Sequence, residues 1–420
     1  MSVDTPGRAG GPHAAADSPR CPAALRSTRA IRDRAGQLTE RARRGESSWF
    51  VVDDTALPAA AARVAEVTRV RYPDLDIPFH SRWRHFEAGG VDRTAMLRAR
   101  LGDDPAEQAR ALIDLAVVSV LLDAGAGPDW SYLEVTSGLR IGRSEGLAVA
   151  GWHAFVDGVF SGDPDHPLRV DAIGLSRLTV ADLAHAFQVD ADNPLVGLDG
   201  RVELLRRLAT AMTAHPDVFG EQPRPGHLYD AVIGAAAGDV EAHDILSLLL
   251  ATTSGIWLSG NEIDGVPVGD CWRHDAVRGQ GSTAGWMPFH KLSQWLTYSL
   301  LEPFEWSGHR VRGVADLTAL PEYRNGGLLL DTGVLRLRDP ADAHRRRDVG
   351  DELVVEWRAL TITLIDELAA LVRNELGVDE GRLPLACVLE GGTWAAGREL
   401  AGTLRSGLPP LDIASDGTVF

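Results

Sequence analysis

Lys291 is the single lysine of the chain; all its other basic residues are arginines. An ammonium is a compact, titratable point charge, whereas a guanidinium is a planar fork that stays charged, so a lone lysine here marks a site that needs the former. It sits in Trp286-Met287-Pro288-Phe289-His290-Lys291-Leu292-Ser293-Gln294-Trp295-Leu296-Thr297-Tyr298. Pro288 suits the first turn of a helix. Lys291, Gln294 and Tyr298 then fall at i, i+3 and i+7 on one side, a polar row expected to face a pocket beside His290. Downstream, Leu320-Pro321-Glu322-Tyr323-Arg324-Asn325-Gly326-Gly327 crowds a carboxylate, a phenol, a guanidinium and an amide into a glycine-terminated turn. Glu356, in Val355-Glu356-Trp357-Arg358, interrupts an apolar helix and is costly to bury without a cation, with Arg324 or Arg358 as candidate partners. An acid to protonate a leaving group and a base to activate water could both come from this set. A purely structural ion pair is the competing account of Glu356.

Other motifs are weaker. Gly142-Arg143-Ser144-Glu145-Gly146 has the spacing of a nucleophile elbow, but the parallel sheet that such an elbow needs is not predicted, and Ser144 reads as a helix cap. Gly279, Gly281 and Gly285 do not keep dinucleotide-binding spacing, and Lys291 lacks the glycines of a P-loop. His80 and His85 are five apart and do not share a helix face; Asp270 and His274 are four apart, but two ligands do not make a metal site. These histidines are expected to be hydrogen-bonded structural residues, with no metal and no cofactor.

The elements that must position these residues are mostly helical. Apolar spacing and caps predict helices over 25–44, 55–71, 106–123, 144–159, 179–189, 199–214, 241–252, 288–304 and 351–376. Strands are expected only at 334–337 and 385–389. With no βαβ alternation and no repeat, the fold class is mainly α, with a few short strands. Long loops rich in Gly, Pro and Trp, among them 73–92, 125–143 and 254–287, are candidates for pocket walls. Residues 1–23 read as a loose tail before a single large domain over 24–420.

Asp+Glu 59 against Lys+Arg 42 gives a net charge of −17, which disfavours nucleic acid and anionic lipid as partners. Three scattered cysteines, Cys21, Cys271 and Cys387, fit a reducing cytoplasm, and no apolar run reaches membrane-spanning length. A small molecule is the expected partner.

Several long segments resemble the uracil catabolism protein 4 family of fungi and bacteria. They are Tyr72-Pro73-Asp74-Leu75, Phe79-His80-Ser81-Arg82-Trp83-Arg84-His85-Phe86, Leu122-Asp123-Ala124-Gly125, Asn193-Pro194-Leu195-Val196-Gly197-Leu198, Leu389-Glu390-Gly391-Gly392-Thr393-Trp394 and the closing Asp416-Gly417-Thr418-Val419-Phe420. The resemblance implies a place in a uracil pathway with ribosylurea as an intermediate. The order of segments also looks like that of the queuosine salvage proteins, N-glycosidases of a nucleoside 5′-phosphate on a DNA-glycosylase-like helical fold. Phe289, Lys291 and Gln294 match one of their motifs, Tyr323 and Arg324 a second in which Glu322 replaces Asp, and Val355, Glu356 and Arg358 a third; Asp275 is a loose counterpart of an upstream aspartate.

Together these imply an N-ribosyl hydrolase that releases urea from ribosylurea or its 5′-phosphate. Glu322, Asp275 and Glu356 are the catalytic candidates. Lys291, Gln294, Tyr323, Arg324, His290 and Tyr298 are the substrate-binding candidates. A metal-dependent amidohydrolase acting on the urea group, using His80, His85, Asp270 and His274, and a non-catalytic pathway partner are the alternatives.

Overall fold

The computed structural model describes residues 22–414 apart from residue 237. Cys21, most of the expected tail and the closing segment 416–420 lie outside the described residues; Pro22 and Ala23 belong to a 3₁₀ turn, Pro22–Leu25. The helices that build the site are α1 (Thr28–Arg43), α2 (Leu57–Arg71), α3 (Trp83–Phe86), α4 (Pro105–Leu121), α5 (Arg143–Val156), α6 (Leu198–Ala214), α7 (Ala242–Thr253), α8 (Lys291–Trp306), α9 (Tyr323–Asp331), α10 (Glu352–Leu376), α11 (Leu385–Val388) and α12 (Trp394–Arg405). The strands beside them are β1 (Phe50–Val52), β2 (Ser131–Glu134), β3 (Leu139–Gly142), β4 (Cys271–Arg273), β5 (Trp286–Pro288) and β6 (Leu335–Leu337). Among the described residues every sheet is two-stranded, so the fold is mainly α.

Helix ends follow local chemistry. Asp104 caps α4 by accepting the Ala106 N–H, with Pro105 in the first turn, where its missing N–H costs nothing. Asp351 caps α10, and Gly377 ends it in the left-handed conformation. α10 has 25 residues and is about 37 Å long. It lies against α1 and α2, burying Leu353, Trp357, Leu360, Leu364 and Leu368. α4 packs along α8, and α9 along α12. No helix among the described residues is long and apolar enough to cross a membrane.

Four local expectations are corrected. Leu385–Leu389 is not a strand: α11 runs into a π-helical turn over Leu389–Thr393, because a short apolar run fits a buried helix as well as a strand. The turn expected at Tyr323–Gly327 is the start of α9; Gly326 lies so close to the Trp357 indole that an added Cβ would come within 2.6 Å of it. Pro288 ends β5 rather than opening α8. His290, in the left-handed region at φ 49°, makes the bend between them. Ser144 does not cap α5; its hydroxyl donates to Asp123.

Candidate active site

α8 presents two polar stripes that share Lys291 and diverge by about 100°. Gln294 and Tyr298 lie on one. Both are buried against the 317–320 segment: Gln294 exchanges hydrogen bonds with Thr318 at its N–H (2.8 Å) and Oγ1 (2.5 Å), and Tyr298 donates to the Thr318 carbonyl at 3.0 Å. They hold the helix in place and offer nothing to a ligand. The other stripe, Lys291, Trp295, Ser299 and Glu302, steps by four, four and three residues and faces the segment before α3. Ser299 accepts the Arg82 N–H at 2.9 Å, its carbonyl accepts Trp83 Nε1 at 2.7 Å, and Glu302 accepts the Ser81 hydroxyl and Arg84 Nη2. These bonds set His80, Arg82 and His85 over Trp295.

Arg82 is fully buried, with its guanidinium 5.5 Å from the Trp295 ring centroid. It donates to Asp123 at 2.5 Å and to Ser119 at 2.8 Å, and Asp123 also accepts the Ser144 hydroxyl at 2.5 Å. Asp123, just beyond α4, and Ser144, in the first turn of α5, are thereby brought to the Lys291–Trp295 face. Trp394, at the start of α12, forms the opposite wall. The Arg324 guanidinium lies 4.8 Å from its centroid, and the His80 and His85 rings stand 6.1 and 6.2 Å from it. The same two imidazoles lie 6.5 and 5.7 Å from Trp295. The result is a chamber with two indole walls, edged by Arg82, Arg324, Lys291, Asp123, Glu322 and Tyr323. An open cavity of about 620 Å³ bordered by Trp130, Arg143, Glu145 and Arg398 adjoins it, and Arg398 covers Trp394 at 5.4 Å.

Charge in the chamber is unevenly paired. Glu322 accepts the backbone N–H groups of Arg324 and Asn325, both at 2.7 Å, and so caps α9. Arg324 is buried, yet its guanidinium makes no hydrogen bond or ion pair among the described residues and rests only on the Tyr323 and Trp394 rings. Its Nη1, Arg82 Nη2 and Trp295 Nε1 are buried donors without a partner. The Lys291 ammonium likewise makes no ion pair among the described residues; burial pulls its pKa below the ordinary value, while Glu322 and Asp123 oppose that shift. Burial raises the pKa of Asp123 against the pull of Arg82. The phenol of Tyr323 is raised by burial as well. His85 is driven well below the usual histidine range by burial and then by Arg82, so it stays neutral.

The remaining sequence candidates lie elsewhere. His290 is buried; Leu25 O lies 3.0 Å from its Nε2, and burial lowers its pKa to about 4. Asp275 is exposed in the turn after β4 and makes no hydrogen bond or ion pair with the Lys291 face among the described residues. Glu356 is completely buried, but its partners are neither Arg324 nor Arg358. It accepts from the Ser47 hydroxyl, His274 Nε2 at 2.9 Å and Arg41 at 3.3 Å. Arg358 is held by Asp270, at 2.7 and 2.9 Å, and Asp270 also accepts the Lys291 N–H at 3.0 Å; this anchors the start of α8 and parts Asp270 from His274. His274, Glu352 and Glu356 do offer ligand atoms within 4.8 Å of one another. His274 Nδ1, however, accepts the Ala276 N–H at 3.2 Å, which puts the ring proton on Nε2, directed at Glu356. Two members of that donor set, His274 and Glu356, are already used in hydrogen bonding.

Sequence reasoning missed Arg82, Asp123, Ser144 and Trp394 as candidate site residues. The one local signal was the dense polar run from His80 to His85.

A family model described as "Protein of unknown function (DUF1688)" matches residues 24–420. The chain is similar to "Uracil catabolism protein 4" of Lachancea kluyveri, 40% identical over 379 residues, covering 82% of this chain and 85% of that protein. It is also similar to "Protein urg3" of Schizosaccharomyces pombe, 38% identical over 412 residues, covering 95% of this chain and 98% of that protein. By the extent of these matches, the chain belongs to the DUF1688 family, together with uracil catabolism protein 4.

Proposed function

We propose that the protein serves uracil catabolism as an N-ribosyl hydrolase, splitting the N-glycosidic bond of ribosylurea 5′-phosphate, or of ribosylurea itself, to urea and the sugar. The observation that carries this reading is the pairing pattern of the chamber: two cations that make no ion pair among the described residues, Lys291 and Arg324, near the carboxylates Glu322 and Asp123, with Arg324 on the Trp394 indole. A buried, unpaired guanidinium is costly unless an anionic ligand completes it, and a phosphate supplies that anion. The names of the relatives and the resemblance of the Lys291 and Tyr323–Arg324 segments to N-glycosidases of a nucleoside phosphate support the same bond class.

Cleavage of such a bond builds positive charge at the anomeric carbon. Glu322 is the carboxylate assigned to that charge and to the attacking water. Capping α9 takes one N–H at each of its oxygens and leaves the rest of its roughly four acceptor sites. Asp123 adds negative potential at Lys291. Tyr323 and Arg324 bind the sugar and its phosphate.

The test is incubation with ribosylurea and, separately, its 5′-phosphate, with urea, ammonia and reducing sugar followed together. Equimolar urea and sugar, faster with the phosphate ester, is the expected result. Ammonia without sugar would overturn the assignment.

A further inference from the structure

Urea expelled as an anion is a poor leaving group, so the departing nitrogen needs a proton, and in the reading above Lys291 and Arg324 are committed to the phosphate. Glu322 and Asp123 act as carboxylates. His85 is held neutral, and burial raises the Tyr323 phenol above its ordinary value.

His80 has the geometry for the task. Its ring lies between the two indoles, stacked on Trp295 at 29° and tilted to Trp394 at 45°. Nδ1 lies 2.8 Å from Glu390 Oε2, and the opposite ring nitrogen, Nε2, makes no hydrogen bond among the described residues. The backbone is fixed too: the His80 N–H donates to the Ala386 carbonyl at 3.0 Å. Behind it, Glu390 stands in the π-helical turn that leads into Trp394, and it accepts from Arg71 at 3.0 Å and Tyr72 at 3.2 Å. Burial would raise the Glu390 pKa, but the bond to His80 and the charge of Arg71 bring it below the ordinary value, so it is an anion beside the imidazole. The carboxylate at Nδ1 and the indole on each side orient the ring.

We propose that His80, oriented by Glu390, is the general acid that protonates the departing nitrogen through Nε2. This assignment rests on the reading of the chain as an N-ribosyl hydrolase. The C1′–N bond breaks with its electron pair on nitrogen, which takes the Nε2 proton and leaves as neutral urea. The oxygen of water bonds to C1′, its proton passes to Glu322, and exchange with solvent restores both groups.

The experiment compares ribosylurea with 4-nitrophenyl β-D-ribofuranoside, whose phenolate leaves without a proton, each with and without a 5′-phosphate. His80→Gln should lose about 100- to 10,000-fold in kcat on ribosylurea and tenfold or less on the nitrophenyl riboside. Glu390→Gln should show the same imbalance at smaller size, which keeps the test alive if one variant folds poorly. Equal losses on both substrates, the pattern of a structural role, overturn the His80 assignment alone. If the wild-type protein splits neither compound, the hydrolase reading falls and takes this assignment with it.

Discussion

Among the described residues, two glutamate–histidine pairs are buried on both sides, Glu390–His80 and Glu356–His274, with N···O distances of 2.8 and 2.9 Å. The distances do not tell them apart; the remaining ring nitrogen does. His274 uses both nitrogens, one on Glu356 and one on the Ala276 N–H, and Glu356 is filled by Ser47 and Arg41 besides. That pair ties α1, the segment before β1, the residue after β4 and α10 into one strut. His80 uses one nitrogen on Glu390 and keeps the other in a chamber where Lys291 and Arg324 make no ion pair among the described residues. A satisfied network rigidifies, whereas an unsatisfied one is either an error or a place for a ligand.

Breaking the strut gives the largest expected effect. Glu356→Ala leaves Arg41 and a fully buried His274 without their carboxylate and should cost about 3–5 kcal/mol in stability, read by denaturant unfolding. Turnover per folded molecule should hold; a selective loss of turnover would move the site to the strut. Glu322→Gln should do the reverse. Its amide oxygen still accepts a cap bond, so stability should fall by about 1 kcal/mol or less, while turnover drops about 100-fold or more.

The outer wall of the chamber gives a test by pH. Burial raises Glu302 from 4.5 to about 7. The folded state therefore favours its neutral form, so the stability it contributes is full below pH 4.5 and is lost as pH rises through 7. That amounts to about 3 kcal/mol, and Glu302→Gln should flatten this part of the stability–pH curve. The smallest effect concerns the cations. Arg324→Ala and Lys291→Ala should each weaken binding of the 5′-phosphate by about 10- to 100-fold, the worth of one charge-assisted hydrogen bond, and that of ribosylurea less. Equal losses on both compounds would argue against phosphate recognition.

The long helices were legible because caps and apolar spacing agree, as at Asp104–Pro105 and Asp351. α9 was not, because its Gly326-Gly327 pair reads as a helix stop until the Trp357 indole that needs a bare backbone is known. The composition marked Lys291, and the Glu322–Arg324 cluster was visible as a cluster. The helical face was misjudged: the stripe through Gln294 and Tyr298 looked polar, but polarity along one helix does not reveal that Thr318 will occupy it. Asp123, Ser144 and Trp394 meet Arg82 and His80 only through contacts spanning tens to hundreds of residues, for which a single sequence carries no local signal. His80 and Glu390, 310 residues apart, are the clearest instance.

Which bond breaks is read from turnover of ribosylurea 5′-phosphate in oxygen-18 water, with borohydride added at quench to lock the sugar. N-glycosidic cleavage places the label on C1 of the reduced sugar and none in urea. Label in carbamate or carbon dioxide, with the sugar–nitrogen bond intact, would contradict it.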